Sequence, residues 1–302
     1  MIQNFKDGFY LAGVRYWTAS LLPALVGTFL PFWLRSNNFT FRPFPAVEFL
    51  IASVLLHAGF SFLLAWFEKS CPTNWTKGRI LVSAISCIVI SCLIGFHIHL
   101  NLDLHPHVFK GIFLIFGISA LLVGALYVVP PVVWYRRVGG EIVISYSLGL
   151  LPLIGAYLVQ VGDITRTVYL AALPIVVLTG LWVWILEMIQ NQKDENAERK
   201  TLVSTLGIRI SAQFGVLAIS ILYFISLLLA VFTASVNPLA LILCLLVVPV
   251  WKIVNQTWTG YEDLEKLNKA RNSAIILHLT TCFVMGISSL NWILIPLPVI
   301  SW

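Results

Sequence analysis

Several groups of side chains have types and spacings that bear on chemistry. Glu187, Gln190, Asn191 and Asp194 recur at i, i+3, i+4 and i+7, which puts four oxygen-bearing side chains on one face of a helix. His97, His99, Asp103, His105 and His107 gather four of the six histidines and a carboxylate within eleven residues, a density able to ligate a transition metal; the alternative is a solvated loop. His57 and His278 stand alone in apolar segments, where a histidine either serves a function or sits neutral and hydrogen-bonded inside a bundle. Glu262, Asp263 and Glu265 form an acidic trio, but Lys266 and Lys269 beside them favour ion pairs over a cation site. The five cysteines, Cys71, Cys87, Cys92, Cys244 and Cys282, show no C-x-x-C spacing, so neither a disulfide framework nor a zinc site is indicated.

The elements that must position these groups are membrane helices. Of 302 residues, 59% are hydrophobic and 11% charged, and the mean hydropathy is +0.91, whereas a soluble domain carries about 25% charged residues. That excludes an ordinary water-soluble globule. Apolar stretches long enough to cross a hydrocarbon core of about 30 Å lie near 17–34, 45–67, 79–98, 109–130, 142–160, 168–190, 210–233, 236–254 and 274–297. We expect an all-α polytopic bundle of about nine transmembrane helices, one domain over residues 1–302, with a cytoplasmic N-terminus.

With that orientation only Arg35, Arg42, Lys110 and Arg166, of 19 lysines and arginines, fall outside. The positive-inside bias accounts for the net charge of +6, and no basic run with interleaved aromatics points to nucleic acid. The first apolar run follows Lys6, Asp7 and Arg15 with no small-residue cleavage site, and reads as a retained helix. The connections after helices two, four, six and eight are long and polar, so a charged substrate is expected on the cytoplasmic face. There the stretch from Trp251 to Arg271 mixes aromatics with alternating charges and reads as lying along the membrane surface. The histidine-rich segment falls outside.

The segment Tyr127-Val-Val-Pro130-Pro131-Val-Val-Trp-Tyr135-Arg136-Arg137-Val-Gly139-Gly140-Glu141 ends helix four with paired prolines and opens helix five after two glycines that permit close backbone approach. It resembles the YxxPPLxxxYRGLGE segment of UbiA-superfamily prenyltransferases, especially those of the menaquinone pathway that prenylate dihydroxynaphthoate. Three further pieces agree in order. Arg15-Tyr-Trp-Thr-Ala-Ser-Leu-Leu-Pro23-Ala-Leu-Val-Gly27 resembles the family's RPxTLxxxxxPVLxG opening, Arg199-Lys200-Thr201-Leu202 its GKRTL element, and LNKARNSAIILHLTTCFVMGISSL its last helix.

The resemblance implies transfer of a polyprenyl group from its diphosphate to an aromatic acceptor, with Asp-rich motifs at the cytoplasmic ends of helices two and six holding Mg²⁺ on the diphosphate. Hard cations and basic side chains are needed there because diphosphate leaves only when its developing charge is neutralised. Here both motifs are degenerate. Where relatives read NDxxD the chain reads Leu64-Ala65-Trp66-Phe67-Glu68, and where they read NxxDxxxD it offers Glu187, Gln190 and Asp194 with Asn191 alongside. The resemblance thus implies Glu68, Glu187, Gln190, Asn191 and Asp194 as metal ligands for fewer ions than in relatives. Arg137, Arg199 and Lys200 are the implied diphosphate contacts, against a role in positive-inside orientation, and Val133 replaces a basic residue found in many relatives. Trp182 and Trp184 are candidates for lining a prenyl pocket or for packing. The competing reading is an inactive homologue that serves as a structural or quinone-, lipid- or pigment-binding subunit of a membrane complex, with other membrane subunits as partners.

Overall fold

In a computed structural model, residues 7–8, 10–13, 16–34, 40–68, 75–102, 107–193 and 200–290 are described; the side chains of 107–110 are not. Among these residues there are nine apolar helices: α1 (Thr18–Leu34), α2 (Pro43–Phe67), α3 (Lys77–Asn101), α4 (His107–Val128), α5 (Gly140–Val161), α6 (Arg166–Lys193), α7 (Ile208–Phe232), α8 (Pro238–Gly260) and α9 (Leu264–Leu290). Eight are long and apolar enough to cross a membrane, and α1 is a shorter apolar helix of 17 residues. No strand occurs among the described residues; a single isolated bridge pairs Arg137 with Lys200. In a lipid interior, where nothing else satisfies backbone N–H and C=O groups, an all-helical solution is required.

The last two helices differ from the expected boundaries. The final helix starts at Leu264 rather than near 274, and residues 291–297 of the expected span lie outside the described residues. Asp263 caps it, its Oδ1 accepting from the backbone N–H groups of Glu265 (2.8 Å) and Lys266 (3.2 Å). Glu265 pairs with Lys269 at 2.6 Å one turn on. Of the charges that read as a surface segment, Glu262, Asp263, Glu265, Lys266 and Lys269 are exposed at the start of a membrane helix whereas Arg271 is buried, and α8 and α9 are separated only by a turn over 261–263.

Helices α5 and α6 form the buried centre; α7 and α9 pack against α6, and α1 lies against α5 and α9. Gly27 permits the closest of these crossings: a Cβ there would overlap the Leu153 carbonyl oxygen on α5 and lie 2.8 Å from its carbonyl carbon. Helices α2 and α3 pair as a hairpin. Helix α4 is the loosest wall; its buried described residues, Phe113 and Val128, lie near its two ends. A π-helical turn over Tyr146–Leu150 widens α5 where α4 stands away from it.

Candidate functional site

The gap between α4 and the rest of the bundle is a cavity of about 950 Å³, walled by α1 to α6 and by the segment just before α1. From Phe49 to Glu68, both lining residues on α2, it runs about 28 Å at 1.5 Å per residue. Its far end is closed by aromatic side chains, Phe49, Phe96, His99 and Phe113, with the His99 ring stacked 6.4 Å from that of Phe113. Between the ends the lining is mainly aliphatic and aromatic, and the π-turn contributes Ser147 and Leu148.

The near end is polar. Glu68 from the end of α2, Glu187, Gln190 and Lys193 from the last turns of α6, and Arg271 from α9 all line it. Glu187 and Arg271 are each only 7% exposed, so their charges face one another's neighbourhood rather than bulk water. The guanidinium of Arg271 is steadied by the adjacent Asn272, whose Oδ1 accepts from Nη2 at 3.0 Å. Gln192 donates to the Tyr261 carbonyl and so ties the end of α6 to the turn that precedes α9. Tyr127 and Tyr135 complete the rim with ring centroids 6.1 Å apart, and Arg136 lies over the Tyr135 ring at 5.1 Å.

The residues expected from sequence divide by position. Glu68, Glu187 and Gln190 meet in this cavity. Asn191 does not line it, because it sits about 100° round α6 from Gln190, on the side away from the opening; its Nδ2 is buried without a hydrogen-bond partner among the described residues. Asp194 and Arg199 lie outside the described residues. Arg137 and Lys200 are brought side by side but outside the lining: the Lys200 N–H donates to the Arg136 carbonyl at 2.9 Å, and Arg137 Nη2 donates to the Pro131 carbonyl at 2.8 Å. Two residues beyond Lys200, the Leu202 N–H donates to Glu141 Oε1 at 2.9 Å, so the connections after α4 and after α6 are clasped together.

Other side chains take places that sequence reasoning left open or did not reach. Trp182 lines the cavity and stacks on Tyr16 (5.6 Å, 8° between planes), whereas Trp184 is packed away with its Nε1 donating to the Ser211 carbonyl. His57 lines the cavity; His278 is 1% exposed in the core, bonded to Thr179 at 3.2 Å. Lys193 and Arg271 carried no spacing signal that would have joined them to Glu187. In the histidine-rich segment, His97 pairs with Glu48 at 3.1 Å at the far end of α3, while Asp103, His105 and the side chain of His107 lie outside what is described. No group of three or more His, Cys, Asp or Glu residues clusters among the described residues.

The donor set at the polar end is hard oxygen: two carboxylates and the Gln190 amide, with no thiol or imidazole. Mg²⁺ is held in just this manner, by one or two carboxylates with substrate phosphates supplying further oxygens. The residues present therefore fit one such ion shared with a phosphate ligand, and Lys193 and Arg271 supply fixed positive charge beside it.

A model of the UbiA prenyltransferase family matches residues 74–279. Among solved structures, digeranylgeranylglyceryl phosphate synthase is similar at 13% identity, covering 96% of this chain and 99% of that one with a TM-score of 0.64. A UbiA homologue from Archaeoglobus fulgidus bound to GPP and Mg²⁺ is similar at 14% identity, over 94% and 99% of the two chains, with a TM-score of 0.58. The apo structure of a UbiA homologue from Aeropyrum pernix K1 is similar at 16% identity, over 93% and 98%, with a TM-score of 0.63. At these identities the likeness is one of fold. No curated protein sequence is matched.

Proposed function

This chain belongs to the UbiA prenyltransferase family, and from that premise we propose that it transfers a polyprenyl group from its diphosphate to an aromatic acceptor in quinone or related lipid biosynthesis. The observation that carries this reading is the cavity's polarity gradient. Carboxylates and fixed cations sit at one end, and an apolar barrel about 28 Å long leads away from them. A prenyl diphosphate is an amphiphile with the same gradient, and the Archaeoglobus fulgidus homologue was solved with GPP and Mg²⁺.

In this reading Glu68, Glu187 and the Gln190 amide oxygen hold Mg²⁺ against the diphosphate, with Asp194 as a further ligand. When bound, the ion neutralises charge that develops on the diphosphate as the allylic carbon–oxygen bond breaks. Lys193 and Arg271 would neutralise the remaining oxygens, and Arg199, Lys200 and Arg137 would draw the anion to this face. The Tyr16–Trp182 stack offers an aromatic surface to the allylic cation, and the largely apolar lining keeps water from quenching it. The excess of Lys and Arg on the connections after α2, α4, α6 and α8 supports a cytoplasmic position for this end, in the plasma membrane or another energy-transducing membrane. The Tyr127–Glu141 segment supports the menaquinone-type branch of the family, with a dihydroxynaphthoate-like acceptor.

Purified protein in lipid, given a polyprenyl diphosphate with naphthoate or benzoate acceptors, is expected to release diphosphate and form prenylated product with Mg²⁺ and not with EDTA. Glu187→Gln should reduce turnover at least tenfold. Folded protein that binds neither prenyl diphosphate nor acceptor would overturn the transferase reading and favour the inactive-subunit alternative.

A further inference from the structure

Midway along the cavity, where the lining is apolar apart from a few serine hydroxyls, the side chain of His57 enters from α2. Its Nδ1 lies 3.0 Å from Ser20 Oγ. Ser20 has one hydroxyl proton, and its Oγ also lies 3.1 Å from the Trp17 carbonyl, which can only accept. Both contacts are satisfied only if Ser20 donates to Trp17 and accepts from His57. The imidazole therefore carries its proton on Nδ1, and Nε2 presents a lone pair. No hydrogen bond to that nitrogen occurs among the described residues, and it lies beside Gly13 in the wall of the cavity.

Ser61, one turn on along α2 and beside the same Gly13, makes no hydrogen bond to that nitrogen among the described residues. Ser53, Ser91 and Ser147, which line the same cavity, spend their protons on the carbonyls of Phe49, Ala52 and Val143, each at 2.8 Å. Gly13, at φ +67°, leaves space beside the imidazole: a Cβ there would lie 3.8 Å from Nε2 and 2.7 Å from Ser61 Oγ. Three residues on, Tyr16 forms the flat stack with Trp182. His57 is eleven residues before Glu68, about 16 Å along the helix. That is too deep to meet the diphosphate or to take a proton at the bond-forming carbon. It is the right place for the far side of a second, planar molecule.

We propose that His57 is a specificity-determining residue whose Nε2 accepts a hydrogen bond from a phenol-type hydroxyl of a planar ligand held midway along the cavity. Within the transferase reading, on which the ligand's role rests, that ligand is the acceptor. Ser20 is the positioning residue that fixes the tautomer. A site built to accept from a hydroxyl discriminates against the methyl ether of the same ring, which brings no proton and leaves the nitrogen unpaired.

The test is equilibrium binding of 1-naphthol and of 1-methoxynaphthalene to the full chain in nanodiscs, corrected for partition into empty nanodiscs. A monodisperse size-exclusion peak and an unchanged melting temperature check the fold of each variant, and binding of a geranyl thiodiphosphate tests the transferase reading separately. Wild type is expected to prefer the naphthol at least tenfold. His57→Phe should bring the two ligands to within about twofold, and His57→Gln, which restores an acceptor oxygen, should regain part of the preference. A wild type that binds both alike, or a His57→Phe variant that keeps the preference, would overturn the proposal. If wild type shows the His57-dependent preference but binds no prenyl diphosphate, the transferase reading fails and the hydroxyl site stands.

Discussion

Replacing Gly27 by Ala tests whether the α1–α5 crossing holds the cavity wall as described. The new Cβ would overlap the Leu153 carbonyl oxygen and lie 2.8 Å and 3.0 Å from its carbonyl and α carbons, all backbone atoms that no rotamer change can move. The helices must separate, and Val26, Leu30, Leu153 and Ile154, which are fully or almost fully buried, lose contact together. Overpacking of this kind costs about 1–3 kcal/mol or more, offset by about 1 kcal/mol of helix propensity gained on leaving glycine. Gly117→Ala is the matched control: it lies in α4, lines the cavity and has no atom within 4 Å of the place its new methyl group would take, so only the propensity gain of about 1 kcal/mol applies. The two variants should differ by about 1–3 kcal/mol, with Gly27→Ala the less stable and Gly117→Ala at or above wild type. Thermal unfolding of detergent-purified protein, followed by tryptophan fluorescence, reads this as melting temperatures separated by about 2–5 °C. Equal melting temperatures, or the reverse order, would refute the close α1–α5 packing.

Arg271→Gln is expected to weaken binding of inorganic diphosphate about tenfold, or ~1.4 kcal/mol, by calorimetry, while wild-type folding is retained on size exclusion. Ala120 lines the middle of the cavity on α4, so Ala120→Trp should exclude long polyprenyl diphosphates and spare dimethylallyl diphosphate. Competition binding across a series of chain lengths checks this, and an unchanged length profile would argue against the barrel as the prenyl site.

The membrane helices were legible because each one needs about 20 apolar residues and charged or Pro/Gly-rich stretches separate them. The start of α9 was not, since Lys266, Lys269 and Arg271 dilute its apolar signal over the turns that Asp263 caps. At the site, helical periodicity and family resemblance brought Glu187 and Gln190 to one face, and resemblance alone pointed to Glu68. Periodicity also grouped Asn191 with them, because a four-residue spacing is close to a turn without coinciding with it; the direction of the cavity decides which edge of the face is used. Arg271 and the Tyr16–Trp182 stack join the site only through packing of distant helices, and no local pattern announces such contacts. His57 and His278 look alike in sequence, each alone in an apolar run, and only the placement of α2 against the cavity and of α9 inside the core separates them.

The central claim is that Glu68 and Glu187 hold a prenyl diphosphate through a divalent cation at the polar end of the cavity. Calorimetric binding of a geranyl thiodiphosphate to the full chain in nanodiscs tests it most directly, with Mg²⁺ and with EDTA, for wild type, Glu68→Gln and Glu187→Gln. Affinity at least tenfold weaker in EDTA, and similarly weakened in both variants with Mg²⁺ present, is the expected result. Equal affinity with and without the cation, or in both carboxylate variants, would contradict it.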